Sequence, residues 1–242
     1  ENGDFVASDL NGLGWHGAMN YQGFMRPVWN WLNRNSEIGG GFQGLPFEMP
    51  RISGSQLVNS MKQFNASVPW RSVTASMVLL DSHDTARFRT VVSGDVASHL
   101  SAMTMVLTYP GVPSIFAGDE IGLEGAWGED GRRTINWDDR SGWDHKFMGE
   151  VKSLISVRKN NDALINGGLR WIATEGDYIA YLRESKKQSV LVLVSRTAID
   201  VTIDLSKLGY SISKTLYGQE AKGSNFTIKS NQATQSIWEV KS

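Results

Sequence analysis

Along the first two thirds of the chain, short apolar runs ending in polar residues alternate with longer stretches whose apolar positions recur at helical spacing. The short runs are residues 17–21 (GAMNY), 73–81 (VTASMVLLD) and 112–120 (VPSIFAGDE), each of strand length. Between them, 26–32 (RPVWNWL), 53–68 and 95–111 carry a helical pattern. The 53–68 segment opens with Ser53 and Gln56 in capping-box spacing and sets Leu57, Val58, Met61 and Phe64 on one face. Pro110-Gly111 stops the next helix, and 146–161 reads as an amphipathic helix with cations near its end. Near-continuous apolar strands alternating with helices predict a parallel sheet covered on both faces. In such folds the chemistry gathers at the carboxyl ends of the strands. Here those ends are polar: Asn20-Tyr21, Asp81 to Asp84, and Asp119-Glu120.

After Gly167-Gly168 the pattern changes. Runs rich in Val, Ile, Tyr and Thr at 169–174, 178–183, 189–195, 199–204, 212–217, 225–229 and 235–240 are separated by turn residues, which predicts an antiparallel β-sandwich. The expected division is an α/β part over 1–165 and an all-β part over 166–242.

Composition narrows the function classes. A net charge of -1, from 24 basic and 25 acidic residues, gives no electrostatic case for nucleic acid or an anionic membrane. The absence of cysteine excludes disulfides, thiol catalysis and thiolate metal sites. No apolar run reaches the ~18 residues of a membrane-spanning helix. No signal peptide is visible and the first residues read like the interior of a protein, so cytoplasmic and secreted locations both stay open. Nine tryptophans suit a packed core, and equally the stacking of sugar rings.

Three motifs in order, LLDSHDTARF (79–88), YPGVPSIFAGDEIGL (109–123) and GRRTINWDDR (131–140), resemble the last part of the α-amylase superfamily, glycoside hydrolase family 13. The stretch GWHGAMNYQGFMRPVWNWL (14–32) resembles the sixth-strand region of actinobacterial-type members. The resemblance implies strands six to eight of a (β/α)8 barrel, thus a partial barrel, followed by an antiparallel β domain. It also implies retaining hydrolysis of α-glucosidic bonds in α-glucans or malto-oligosaccharides. Retaining chemistry needs a nucleophile and an acid/base about 5–5.5 Å apart. A glucanotransferase of the same superfamily and a non-catalytic carbohydrate-binding or assembly protein are the alternatives.

Carried over by position, Asp84 matches the acid that grips the hydroxyls beside the reacting carbon, and His83 the neighbouring hydroxyl donor. Arg87 falls in the same motif and is expected to orient Asp84. Glu1 falls where the family keeps its acid/base glutamate. Trp15, His16, Asn20 and Tyr21 are expected at the end of the sixth strand, with Trp15 and Tyr21 as candidate sugar platforms. Asp119 and Glu120 are expected to hold their loop by hydrogen bonds, Arg132 or Arg133 to pair with a nearby acid, and the glycine-rich 37–47 segment to be a flexible loop on the substrate side.

The family's nucleophile pattern, Gly-x-Arg-x-Asp, does not occur in these residues. The expectation is therefore that this chain alone is inactive, and that the missing N-terminal barrel half, or self-association, covers the open sheet edges. No cofactor is expected to be required; calcium is possible, with Asp138, Asp139 and Asp144 as an acidic cluster.

Overall fold

The computed structural model describes residues 3–11, 14–34 and 37–242. The chain opens with α1 (Gly3–Asp9), followed by a stretch at 18–20 that lies along a parallel ladder. A single π turn over Tyr21–Met25 leads into α2 (Arg26–Leu32), whose entry Pro27 favours. Next come the short strands β1 (Glu37–Ile38) and β2 (Met49–Pro50), then α3 (Gly54–Ser67), α4 (Trp70–Ala75) and β3 (Met77–Val78). After these stand α5 (Phe88–Val91), α6 (Val96–Thr108), β4 (Val112–Pro113), α7 (His145–Lys159) and α8 (Asp162–Asn166). The remaining strands are β5 (Gly168–Ala173), β6 (Tyr178–Glu184), β7 (Ser189–Ser195), β8 (Ile199–Asp204), β9 (Ser211–Tyr217), β10 (Asn225–Ser230) and β11 (Gln235–Lys241).

The barrel part is a three-lane parallel ladder. β3 lies at its centre, bridged to Met19 on one side and paired with β4 on the other. Asn20 N–H donates to Met77 O at 3.0 Å, and Ser114 N–H to Val78 O at 2.8 Å. Two glycines permit these approaches. A Cβ on Gly17 would lie 2.3 Å from Ala75 O, and one on Gly111, at φ +132°, 2.4 Å from Val78 Cγ2. The ladder is shorter than its apolar runs. Residues 73–75 belong to α4, because Pro69 starts a helical turn there and Ser76 Oγ donates back to Ser72 O. After Pro113 the chain leaves the ladder for a 3-10 turn over Asp119–Ile121.

Helices cover this ladder as their apolar faces require. Ser53 and Gln56 form the capping box, and Leu57, Val58, Met61 and Phe64 are buried. Asp95 and Asp144 cap α6 and α7 through their side chains. Trp29 donates its indole N–H to Leu80 O at 2.6 Å, which ties α2 to the end of the central strand. The 37–47 segment lies in a hairpin: β1 pairs with β2, and Gln43 O accepts from Trp127 N–H at 2.6 Å.

All seven predicted β runs form strands. β5, β6, β7, β11 and β9 make one antiparallel sheet, and β8 pairs with β10 in a second. The larger sheet is buried on both faces, hence the unbroken apolar sequence of β7. Val190, Val192 and Val194 face the helices, while Leu191 and Leu193 face the second sheet. The second sheet has one wet face: along β8, Ile199 and Ile203 are buried and Asp200 and Asp204 exposed. At the seam Arg183, completely buried, donates to Gly168 O (3.0 Å), Leu164 O (3.2 Å) and Gly167 O (2.8 Å), and also to Thr108 O.

Candidate active site

The central strand ends in a tight polar turn. Ser82 N–H donates to Thr85 Oγ1 at 2.9 Å, Thr85 N–H to Ser82 O at 3.1 Å, and Asp84 N–H to Ser82 Oγ at 3.1 Å. The turn lifts His83 and Asp84 out of the protein, with side chains 62% and 52% exposed, and leaves Ser82 and Thr85 buried. His83 Nε2 lies 3.3 Å from Asp84 Oδ1. Arg132 braces the tip from the turn Gly128–Arg132: its Nε donates to His83 O at 2.8 Å, and one guanidinium nitrogen stands 3.9 Å from Asp84 Oδ1. Glu129 holds the same guanidinium at 2.9 Å, and Arg133 pairs with Asp130 at 2.8 Å, as the basic pair predicted.

Beneath the exposed tip lies a second polar layer that sequence reasoning only half foresaw. Arg87 does not reach Asp84. It is buried, and its guanidinium donates to Asp119 Oδ1 (2.9 Å) and Gly131 O (2.9 Å), with its plane 3.8 Å from the centre of the Phe116 ring. The expected contact of Arg87 with Asp84 or with substrate is therefore corrected: an arginine between two buried strand ends finds its counter-charge inside. Asp81 is buried too and accepts from Phe88 N–H at 2.6 Å. Burial pushes its carboxyl well above the usual range, and the neighbouring Asp119 charge adds to this. Burial raises Asp119 as well, against the opposing pull of Asp81 and Arg87. The signal for this layer was legible, since Asp81 directly follows an apolar run and had to share its burial. Glu120 bonds Gly118 N–H at 2.8 Å, so both acids of the 119–120 pair serve their loop.

Two aromatic expectations are corrected. Tyr21 is 5% exposed and packs in the core, its hydroxyl 2.7 Å from Ser82 Oγ, so its ring offers no platform for a sugar. Trp15 is 74% exposed, yet it precedes the 18–20 stretch and lines a recess of about 170 Å³ with His16, Arg71, Ser72 and Ala75. That is the amino end of the ladder, opposite the end that carries His83 and Asp84, because the strand runs from Gly17 toward Asn20. Asn20 is buried and accepts from Gly23 N–H at 2.8 Å, capping the π turn. Glu1 lies outside the described residues.

Polar side chains at the carboxyl ends of parallel strands are a feature of many α/β enzymes. What decides the family is the match of residues 17–163 to the model of the α-amylase catalytic domain. The chain belongs to the α-amylase family. Among curated α-amylase-family relatives, it is 32% identical over 130 residues to a cyclomaltodextrinase of Thermoanaerobacter pseudethanolicus, covering 54% of this chain and 22% of that protein. It is 34% identical over 157 residues to neopullulanase 2 of Thermoactinomyces vulgaris, covering 62% of this chain and 26% of the relative. The crystal structure of a debranching enzyme from Nostoc punctiforme superposes with a TM-score of 0.81 at 24% identity, over 96% of this chain and 49% of that one, which speaks for the fold. The chain thus spans about a quarter of the length of these curated relatives.

Two of the acidic residues singled out for calcium have partners within the protein. Asp144 is spent on the cap of α7 and on Arg89 at 3.2 Å, while Asp139 accepts from Ser141 N–H within its own loop. Among the described residues no group of three His or carboxylate side chains converges on a metal position.

Proposed function

We propose that these residues are the carboxyl-terminal portion of a retaining α-glucan hydrolase acting on α-glucans or malto-oligosaccharides. The observation that carries this reading is the exposed His83–Asp84 tip at the carboxyl end of the central strand, braced by Arg132. Asp84 accepts hydrogen bonds from adjacent sugar hydroxyls and stabilises positive charge developing on the ring; His83 donates to a further hydroxyl. Glu1 is assigned the acid/base role, protonating the leaving oxygen and then activating water. The nucleophile comes from chain outside these residues, since Gly-x-Arg-x-Asp is absent from them. By itself the described chain then forms no glycosyl-enzyme and turns nothing over.

The ladder's outer side supports a missing barrel half as the partner. Among the described residues, β4 is paired on one side only. Beside it runs a groove of about 690 Å³ lined by Leu107, Val112, Ile115, Ile155 and Ile165. An apolar groove next to an unpaired strand is suited to a further strand and helix. The test is an assay of the full-length gene product on malto-oligosaccharides. Asp84→Asn there should lower kcat/KM on the order of a thousandfold or more, with the fold intact. Unchanged turnover in Asp84→Asn would refute the assignment. Binding of malto-oligosaccharide with no turnover would make the protein a carbohydrate binder, and products longer than the substrate would make it a transferase.

A further inference from the structure

The layer under the tip poses a problem of charge. Asp81, Asp119 and Arg87 are all buried, and three ionised groups there would leave one negative charge uncompensated in the protein interior. Glu120, on the same loop, is a further anion facing Asp119. Of the two Asp81 oxygens, Oδ2 accepts from Phe88 N–H at 2.6 Å. Oδ1 is equally buried, yet among the described residues no N–H or hydroxyl donor reaches it. The Asp81 side chain is instead within hydrogen-bonding reach of the Asp119 carboxyl. Two carboxyl groups in contact can hydrogen-bond only if one of them carries a proton. Asp119 already receives the Arg87 guanidinium at 2.9 Å, whereas among the described residues no cation pairs directly with Asp81, on which the Arg87 charge acts without a hydrogen bond. The proton therefore belongs on the member without the cation.

We propose that Asp81 is a neutral carboxylic acid that donates to the Asp119 carboxylate, so that the buried trio of Asp81, Asp119 and Arg87 beneath His83 and Asp84 carries no net charge. Asp81 is then a positioning residue. It ties the start of the tip to the loop after β4 through Asp119, and to α5 through Phe88 N–H. It does so without placing a second anion three residues from Asp84. With Asp81 neutral, Asp119 and Arg87 cancel, and Asp84 is the anion the tip presents to a ligand. The direction of the Asp81 shift, upward through burial and the Asp119 charge, agrees with this.

The test needs no substrate and uses the full-length protein, so its outcome is independent of the hydrolase reading; conversely, a failed activity assay leaves it standing. Infrared difference spectra between the native chain and Asp81→Asn at pH 7 should show loss of one carboxylic-acid carbonyl band. The amide introduced by Asp81→Asn keeps an oxygen for Phe88 and supplies an N–H for Asp119, so the substitution should change the folding equilibrium constant only a few-fold at pH 4. As pH rises above the ordinary aspartate value of 3.8, the unfolded Asp81 ionises while the folded one keeps its proton. Native stability should then fall relative to Asp81→Asn by up to about tenfold in the folding constant per pH unit, until the folded pair titrates. A difference spectrum containing only carboxylate bands would overturn the proposal. So would an Asp81→Asn variant that loses stability relative to native as pH rises.

Discussion

The two parts of this chain solve the problem of a buried sheet in opposite ways. In the β-sandwich, the five-stranded sheet has helices on one face and a second sheet on the other, and its inner strands are paired along both edges. The parallel ladder has only short strands, and its central member ends in polar side chains at the surface. The sandwich sheet is covered on both faces, whereas the ladder is organised around its rim. Burial is concentrated where the sheet is closed, and exposed polar groups where the strands end.

The largest expected effect lies at the junction of the two parts. Among the described residues Arg183 has no acidic partner and instead serves four backbone carbonyls, of α6, the end of α8 and the start of β5; burial lowers its pKa to about 10. Arg183→Ala would strip those carbonyls of their donor, at a cost of about 3–5 kcal/mol in denaturant unfolding. A cost under ~1 kcal/mol would mean that the parts stand independently.

Next comes an acid-sensitive link in α6, the helix that touches both parts; its Ser101 hydroxyl donates to Ser195 O at 3.1 Å. His99 on this helix is buried between Phe88 and Phe147 and accepts from Arg89 Nε at 3.0 Å. Burial, then the Arg89 charge, holds its pKa well below 6.5. The folded ring stays neutral while the unfolded one binds a proton, so this contribution is intact above pH 6.5 and is lost as pH falls below it. Urea midpoints between pH 7 and pH 5 should drop by up to the equivalent of ~1.4 kcal/mol per pH unit, and His99→Gln should flatten that slope.

The smallest effect is expected at an exposed cap on the ladder side. Ser53→Ala removes the oxygen that accepts from Gln56 N–H at 3.2 Å and should cost about 1 kcal/mol. Thermal unfolding checks it, and a loss as large as that of Arg183→Ala would erase the contrast between joint and periphery.

These differences also explain which features were legible in the sequence. The sandwich strands and the α3 capping box could be read directly, because local periodicity and turn chemistry coincide there with tertiary burial. The 73–75 stretch could not, since Val73 and Ala75 suit a strand by pattern, yet Pro69 and the Ser72–Ser76 hydrogen bond favour a helical turn. His83 and Asp84 were legible as a strand-end pair, and their placement agrees with that reading. Arg87 and Tyr21 were misread for one reason: a polar group next to a functional motif can face inward. Only long-range partners such as Asp119 and Ser82 reveal the direction. Trp15 was misplaced because a run of residues has two ends, and the sequence does not mark which one leads.

The seam at Arg183 bears on how such a protein could be divided or recombined. A cut at Gly167-Gly168 would separate the folds on paper, but it would pass through carbonyls that a single guanidinium holds together. Chimeras that exchange the tail domain between relatives should keep this arginine together with the helix ends it grips, or move the breakpoint upstream of α6.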